Sequence, residues 1–296
     1  MITLVLEILK RIFIILFILI ILIIIFLFKG EVQSVVPRKI KQRYNYRSKR
    51  INKRKVFVLS SKEKRNKMII LYLHGGSYVG ALNREHWNFL ADIIDDSGAT
   101  IVVPDYPLTP KYNYEDVFNM VEPIYKKIIN NKKDNEFIIM GDSAGGGLAL
   151  ALVQKLADSN IELPSKTILL SPWLDVRLKN PDIKKIEPND PVLNKLALMV
   201  AGEHYAGKNG KNSYLVNPID GPLTKLKNVT IFTGTYDILN ADARLLIKKA
   251  SDVNIKINMK EYEKAVHIWM LNRYSKKNSY KAEEAYQEII TLLKDN

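Results

Sequence analysis

The run Phe137-Ile-Ile-Met-Gly-Asp-Ser-Ala-Gly-Gly-Gly147 sets a serine between glycines two residues to either side, after a β-rich stretch and before the apolar stretch Leu148 to Leu156. Glycines at that spacing permit a sharp, strained turn that exposes the Ser143 hydroxyl at a helix N-terminus, where the dipole favours developing negative charge. Such a hydroxyl attacks carbonyl carbon when a base takes its proton and hydrogen-bond donors hold the oxyanion. A second glycine-bearing stretch, Leu71-Tyr-Leu-His-Gly-Gly-Ser-Tyr78, also follows a β-rich run. The backbone N–H groups of Gly75 and Gly76, with that of Ala144 after the serine, are the expected oxyanion donors. The competing reading of this stretch is a structural turn around a packed His74.

The base must be one of four histidines. His74, His86 and His204 are poorly placed, whereas His267 lies after the last β-rich run and before the final helix. A nucleophile on such an elbow is followed along the chain by its acid and then its histidine. Asp237 fits that order, just after Val229-Thr-Ile-Phe-Thr-Gly-Thr-Tyr236. Asp242 is the rival acid, five residues on and inside an expected helix Ala241 to Ala250, where a surface role is expected. The chain has no cysteine, which excludes thiol nucleophiles, disulfides and cysteine metal sites.

The elements that must position these residues follow from periodicity. Strands are expected at Val56 to Leu59, Met68 to Leu73, Thr100 to Val103, Phe137 to Met140, Thr167 to Leu170, Val229 to Thr233 and Ile255 to Met259. Amphipathic stretches fill the gaps, as at Arg84 to Asp95, where Trp87, Leu90, Ala91 and Ile94 share a face and Gly98 supplies the stop. This alternation predicts an α/β fold with a mostly parallel sheet and helices on both faces. The stretch from about Asn180 to Asn217, rich in Asn, Pro, Lys and Gly around a helix at Val192 to Tyr205, reads as a small cap.

Together these motifs resemble the hormone-sensitive-lipase-like esterases of the α/β-hydrolase fold, similar to bacterial acetyl esterases and arylesterases, over roughly Met68 to Leu293. His74-Gly-Gly, Gly141-Asp-Ser-Ala-Gly-Gly146, Asp105-Tyr-Pro-Leu-Thr-Pro110, Ser171-Pro-Trp-Leu-Asp175 and Ala265-Val-His-Ile-Trp269 carry the resemblance. It implies that Ser143 attacks an ester, His267 shuttles the proton, Asp237 orients the imidazole, and Gly75, Gly76 and Ala144 bind the oxyanion, with no cofactor and no metal. Ser77 departs from the family's third glycine, and the family's N-terminal cap helices are replaced here by a different N-terminus.

From Ile12 to Phe28 every residue is Ile, Leu or Phe. A run of that length at about 1.5 Å per residue nearly spans a hydrocarbon core about 30 Å thick, so a membrane anchor helix over residues 1–30 is expected. A cleaved signal peptide and a buried core helix are the alternatives. Residues 29–67 then carry 15 basic and 2 acidic groups, against 28 of each in residues 68–296. The +14 net charge of the chain is therefore almost all in this one segment.

Residues 31–67 are accordingly expected to be a basic juxtamembrane linker with the first strand, and 68–296 the catalytic domain. Positive charge favours the cytoplasmic side and attraction to anionic headgroups. The expected localisation is thus single-pass in the cell membrane with the body in the cytoplasm, although a merely solvated linker would look the same. No nucleic-acid-binding motif is present, so no nucleic-acid partner is expected. The expected function is cleavage of small-molecule or lipid carboxylic esters with short to medium acyl chains. A silent small-molecule-binding protein on the same scaffold, or a transacylase or deacetylase acting on a lipid or glycan, are the alternatives.

Overall fold

The computed structural model describes residues 33–64, 66–274 and 279–295. In chain order its elements are α1 (Arg38–Arg43), β1 (Asn45–Ile51), β2 (Arg54–Ser60), β3 (Met68–Leu73), α2 (Arg84–Ser97), β4 (Thr100–Pro104), α3 (Tyr114–Asn131), β5 (Glu136–Asp142) and α4 (Ala144–Asp158). They continue with β6 (Lys166–Leu170), α5 (Ile183–Ile186), α6 (Lys195–Ala206), β7 (Val229–Tyr236), α7 (Asn240–Asp252), β8 (Ile257–Val266) and α8 (Ser279–Lys294).

The strands form one sheet in the order β1-β2-β4-β3-β5-β6-β7-β8, in which β1–β2 and β2–β4 pair antiparallel and every other pair is parallel. Alternate residues of the central strands go to opposite faces, as the two-residue repeat of a strand requires. Leu71, Leu73, Ile139, Leu169 and Ile231 pack with α3, α4, α6 and α7 on one face. Ile70, Tyr72, Ile138, Met140, Leu170 and Phe232 pack with α2 and α8 on the other. Helix α4 is buried along nearly its whole length, which is why its sequence is apolar all round rather than on one stripe.

The expected α/β body with a mostly parallel sheet is borne out. The transmembrane helix placed ahead of it is corrected: among the described residues no helix is long and apolar enough to cross a membrane. The run Ile12 to Phe28 lies outside the described residues. The basic segment beyond it is also more structured than a linker. It supplies α1 and a hairpin of two strands, β1 and β2, closed by Asn52 and Lys53 with φ of 48° and 65°. Two consecutive left-handed residues make the turn that matches strand twist in a two-residue hairpin.

One residue of that basic series is not at the surface. Arg54 is 1% exposed, and its guanidinium donates to the backbone oxygens of Asp105 (2.8 Å) and Tyr106 (3.0 Å) with the Asp105 carboxylate 3.4 Å away. Asp105 in turn accepts from the N–H and hydroxyl of Ser34, whose oxygen also takes the Leu82 N–H. These bonds fasten the start of the described chain to the loop after β4.

The segment expected as a cap contains α5, a 3-10 turn at Glu187–Asn189, and α6. It is tied to α7 by Asn180, whose amide donates to Ala241 O (2.9 Å) and Asp242 Oδ1 (3.0 Å). Asp242 is therefore not at the surface as expected, being 1% exposed with its other carboxylate oxygen unpartnered. Burial, against the Asn180 hydrogen bond, pushes its pKa up from 3.8 to about 7. The folded protein keeps this proton through a window in which the unfolded chain has released it, so stability falls as pH rises from about 4 to about 7. Asp242→Asn removes that dependence. Urea unfolding at several pH values should show the variant gaining on the wild type across this window, by on the order of 1 to 3 kcal/mol, with parallel curves refuting the assignment.

Candidate active site

Ser143 sits between the end of β5 and the start of α4 with φ 51° and ψ −121°, a conformation that costs an L-residue free energy. Its surroundings explain the two glycines. A Cβ on Gly141 would lie 2.3 Å from Gly145 O, and one on Gly145 would lie 2.0 Å from Leu73 O. The turn is held from outside, by Ser143 N donating to Leu170 O (2.8 Å) and Trp173 N donating to Ser143 O (2.9 Å).

The parallel order of β5, β6, β7 and β8 brings the ends of β7 and β8 to the same edge of the sheet as the elbow. His267 follows β8, and its Nε2 lies 2.9 Å from Ser143 Oγ while its Nδ1 lies 2.9 Å from Asp237 Oδ2. Asp237 is fully buried and its second oxygen accepts the Leu239 N–H at 2.9 Å. The next residue, Ile268, has φ 45° and donates its N–H to Ser171 Oγ at 3.2 Å, which fixes the loop carrying the imidazole. The three residues expected from the sequence are thus in one hydrogen-bonded line.

Burial pulls the His267 pKa down, but the charge and hydrogen bond of Asp237, with smaller contributions from Asp190 and Asp142, outweigh it and leave it above 6.5. A carboxylate that stabilises the imidazolium makes the ring a better proton acceptor. The other histidines do not reach the nucleophile. His74 stacks on Tyr106 at 4.2 Å and is driven down to about 3 by burial and by His86. His204 is exposed on α6.

The glycine loop after β3 departs from expectation at one position. Gly75, assigned as an oxyanion donor, gives its N–H to Asp142 Oδ1 at 2.9 Å and is corrected to an anchor of the loop. A Cβ there would lie 2.2 Å from the same carboxylate, so glycine is required for packing. Gly76, with φ 109°, and Ala144 keep N–H groups free of a protein acceptor among the described residues, and so does Ser77. Ala144 opens α4, where the first N–H groups have no acceptor within the helix.

Asp142 is the residue sequence reasoning passed over. Besides Gly75 it accepts from Tyr72 Oη (2.6 Å) and His86 Nε2 (3.2 Å), and it is fully buried. Burial alone would raise its pKa, yet His86, Tyr72 and His74 hold it below 3.8. The signal was present in the unexplained polar residue between Gly141 and Ser143, but its partners lie far along the chain. Tyr106 Oη bonds His74 O, Thr109 N bonds Tyr78 O (2.8 Å) and Tyr78 Oη bonds Ala144 O (2.8 Å), so the loop is pinned at both ends.

The arrangement compares directly with known proteins. An esterase from Acinetobacter venetianus is 29% identical over 197 residues, covering 66% of this chain and 65% of that esterase. An acetyl-hydrolase from Streptomyces hygroscopicus is 27% identical over 201 residues, covering 68% of this chain and 67% of that protein. The chain thus spans about two thirds of the length of these relatives. Among solved structures, a candidate esterase from Staphylococcus aureus superposes with a TM-score of 0.82 at 25% identity, covering 90% of this chain and 88% of that one. An esterase of the bacterial hormone-sensitive lipase family shares the fold with a TM-score of 0.76 at 22% identity, covering 88% of this chain and 86% of that one. The profile of the alpha/beta hydrolase fold family matches residues 70–271, and with the relatives named esterase and acetyl-hydrolase this bears out the expected resemblance to esterases of that fold: the chain belongs to the alpha/beta hydrolase fold family.

Proposed function

We propose that the protein is a serine carboxylesterase acting on esters of short to medium acyl chains. The observation that carries this reading is the unbroken line Ser143–His267–Asp237, with both hydrogen bonds at 2.9 Å. Ser143 Oγ adds to the ester carbonyl carbon as its proton passes to His267 Nε2, and the resulting oxyanion is received by the free N–H groups of Gly76, Ala144 and Ser77. The tetrahedral adduct collapses with the His267 proton going to the leaving alkoxide. Water, deprotonated by the same imidazole, then adds to the acyl-enzyme and releases the acid. The acetyl-hydrolase among the relatives supports a short acyl group. The complete line of proton-transfer groups favours turnover over silent binding on the same scaffold.

The exposed cations Arg38, Lys39, Lys41, Arg47, Lys49, Arg50 and Lys53 on α1, β1 and the hairpin turn support a working position against an anionic lipid surface on the cytoplasmic side. Protease added to intact cells should leave the body whole, and its digestion from outside would reject that placement.

Ser143→Ala should lower kcat on a p-nitrophenyl ester by on the order of 10⁶ and abolish labelling by a fluorophosphonate, and a variant that keeps wild-type turnover would overturn the assignment.

The acid limb has a direction as well. Imidazole must be neutral to accept the serine proton, so kcat/KM should rise with pH through a midpoint above 6.5. Asp237→Asn leaves burial to dominate. Its midpoint should move down and its rate fall roughly 10⁴-fold in a pH-rate series.

A further inference from the structure

A second carboxylate reaches the acid loop from the cap segment. Asp190 follows the 3-10 turn Glu187–Asn189, and its Oδ1 accepts the N–H groups of Val192 (2.8 Å) and Leu193 (2.9 Å), which shapes the approach to α6. Its Oδ2 crosses to the body and accepts the N–H of Ile238 at 2.9 Å, 48 residues away in sequence. Ile238 is the residue after Asp237 and is fully buried. Of the three N–H groups that follow Asp237, Leu239 bonds the Asp237 carboxylate and Asn240 the Asp237 backbone oxygen. The Ile238 N–H points the other way, and Asp190 is what satisfies it.

An amide in place of Asp190 has one acceptor oxygen and cannot serve both sets of donors, whereas a carboxylate serves both. The carboxylates whose charge acts on the His267 imidazole are Asp237 from the loop after β7, Asp142 at the end of β5, and Asp190 from the cap, while its Nε2 meets the Ser143 hydroxyl. We propose that Asp190 is a positioning residue of the same reaction: it seats the cap against the acid loop, fixes the direction of Asp237, and adds a further negative charge to those of Asp237 and Asp142 around His267. In this arrangement a cap that lifts away takes with it the bond that orders the acid loop, so cap closure and an ordered triad occur together.

This inference rests on the esterase reading, so its test reads the imidazole as well as turnover. In full-length protein, Asp190→Asn should lower the midpoint of the His267 titration followed by NMR and move the acid limb of kcat/KM down with it. A neighbouring anion stabilises the imidazolium, and removing it favours the neutral ring. Asp190→Ala should lower kcat about tenfold at saturating ester, since a small misplacement of a catalytic group is enough for that loss. Asp190→Glu keeps the charge and should restore the midpoint, which a purely structural role would not require. In the wild type the Ile238 amide should be protected from hydrogen exchange. A freely exchanging Ile238 amide, or an unchanged His267 midpoint and kcat in folded Asp190→Asn, overturns the proposal. A shifted His267 midpoint in a protein that turns over no ester would instead overturn the esterase reading alone.

Discussion

Much of this structure depends on one buried anion. The Asp142 carboxylate lies beneath the nucleophile with no access to water, and a charge in that position persists only if it is fully hydrogen-bonded. Its donors come from three places: Tyr72 on β3, Gly75 in the loop that follows, and His86 on α2. The strand that leads into Ser143 is thereby joined to the loop that carries the N–H groups of Gly76 and Ser77, which have no protein acceptor among the described residues. The elbow and the glycine loop cannot move apart without exposing or stranding that charge. This is how two segments, each strained and rich in glycine, acquire a single geometry relative to each other.

The strain is offset by packing around it. Gly145 and Gly147 let α4 come against Leu73 and Trp173 so closely that a Cβ at either would lie 2.0 Å from a backbone oxygen. Behind the elbow, Leu148, Leu150, Leu152 and Leu156 are fully buried. The helix whose N-terminus serves the nucleophile is thus fixed by apolar burial on all sides, at roughly 25 cal/mol per Å² removed from water. On the other flank, Tyr78 stacks on Tyr205 of α6 and hydrogen-bonds Ala144 O. The cap therefore touches both the loop of Gly76 and Tyr78 and, through Asp190, the loop of Asp237.

The N-terminal part of the described chain shows how composition can mislead. Its density of Lys and Arg reads as a solvated linker, yet Arg54 is an interior residue holding the Asp105–Tyr106 backbone, and β1 with its Asn-Tyr-Arg-Ser-Lys-Arg-Ile sequence forms an edge strand. An edge strand needs only backbone pairing along one side, so it has no apolar alternation to betray it. Lysine and arginine on such an edge also block pairing with another chain, which gives the charge a structural use of its own.

Ser143, Asp237 and His267, and six of the seven expected strands to within two or three residues, were legible in the sequence because each is signalled by its neighbours. A strand, a glycine-flanked serine and an apolar helix are contiguous, and the order of acid and histidine along the chain follows from a parallel sheet. The last strand shows the limit of that reading: expected at Ile255 to Met259, it runs Ile257–Val266 because pairing with β7, not its own apolar pattern, carries it to the site. The direction of the Gly75 N–H, the satisfaction of Asp142 and the reach of Asp190 had no such local signal. They are set by partners 67 and 48 residues distant, and a hydrogen bond across that separation exists only once the sheet has brought its two ends within 3 Å. Sequence determined which side chains meet in the line Ser143–His267–Asp237. Tertiary structure decided which N–H groups are left free for it and which are spent holding it in place.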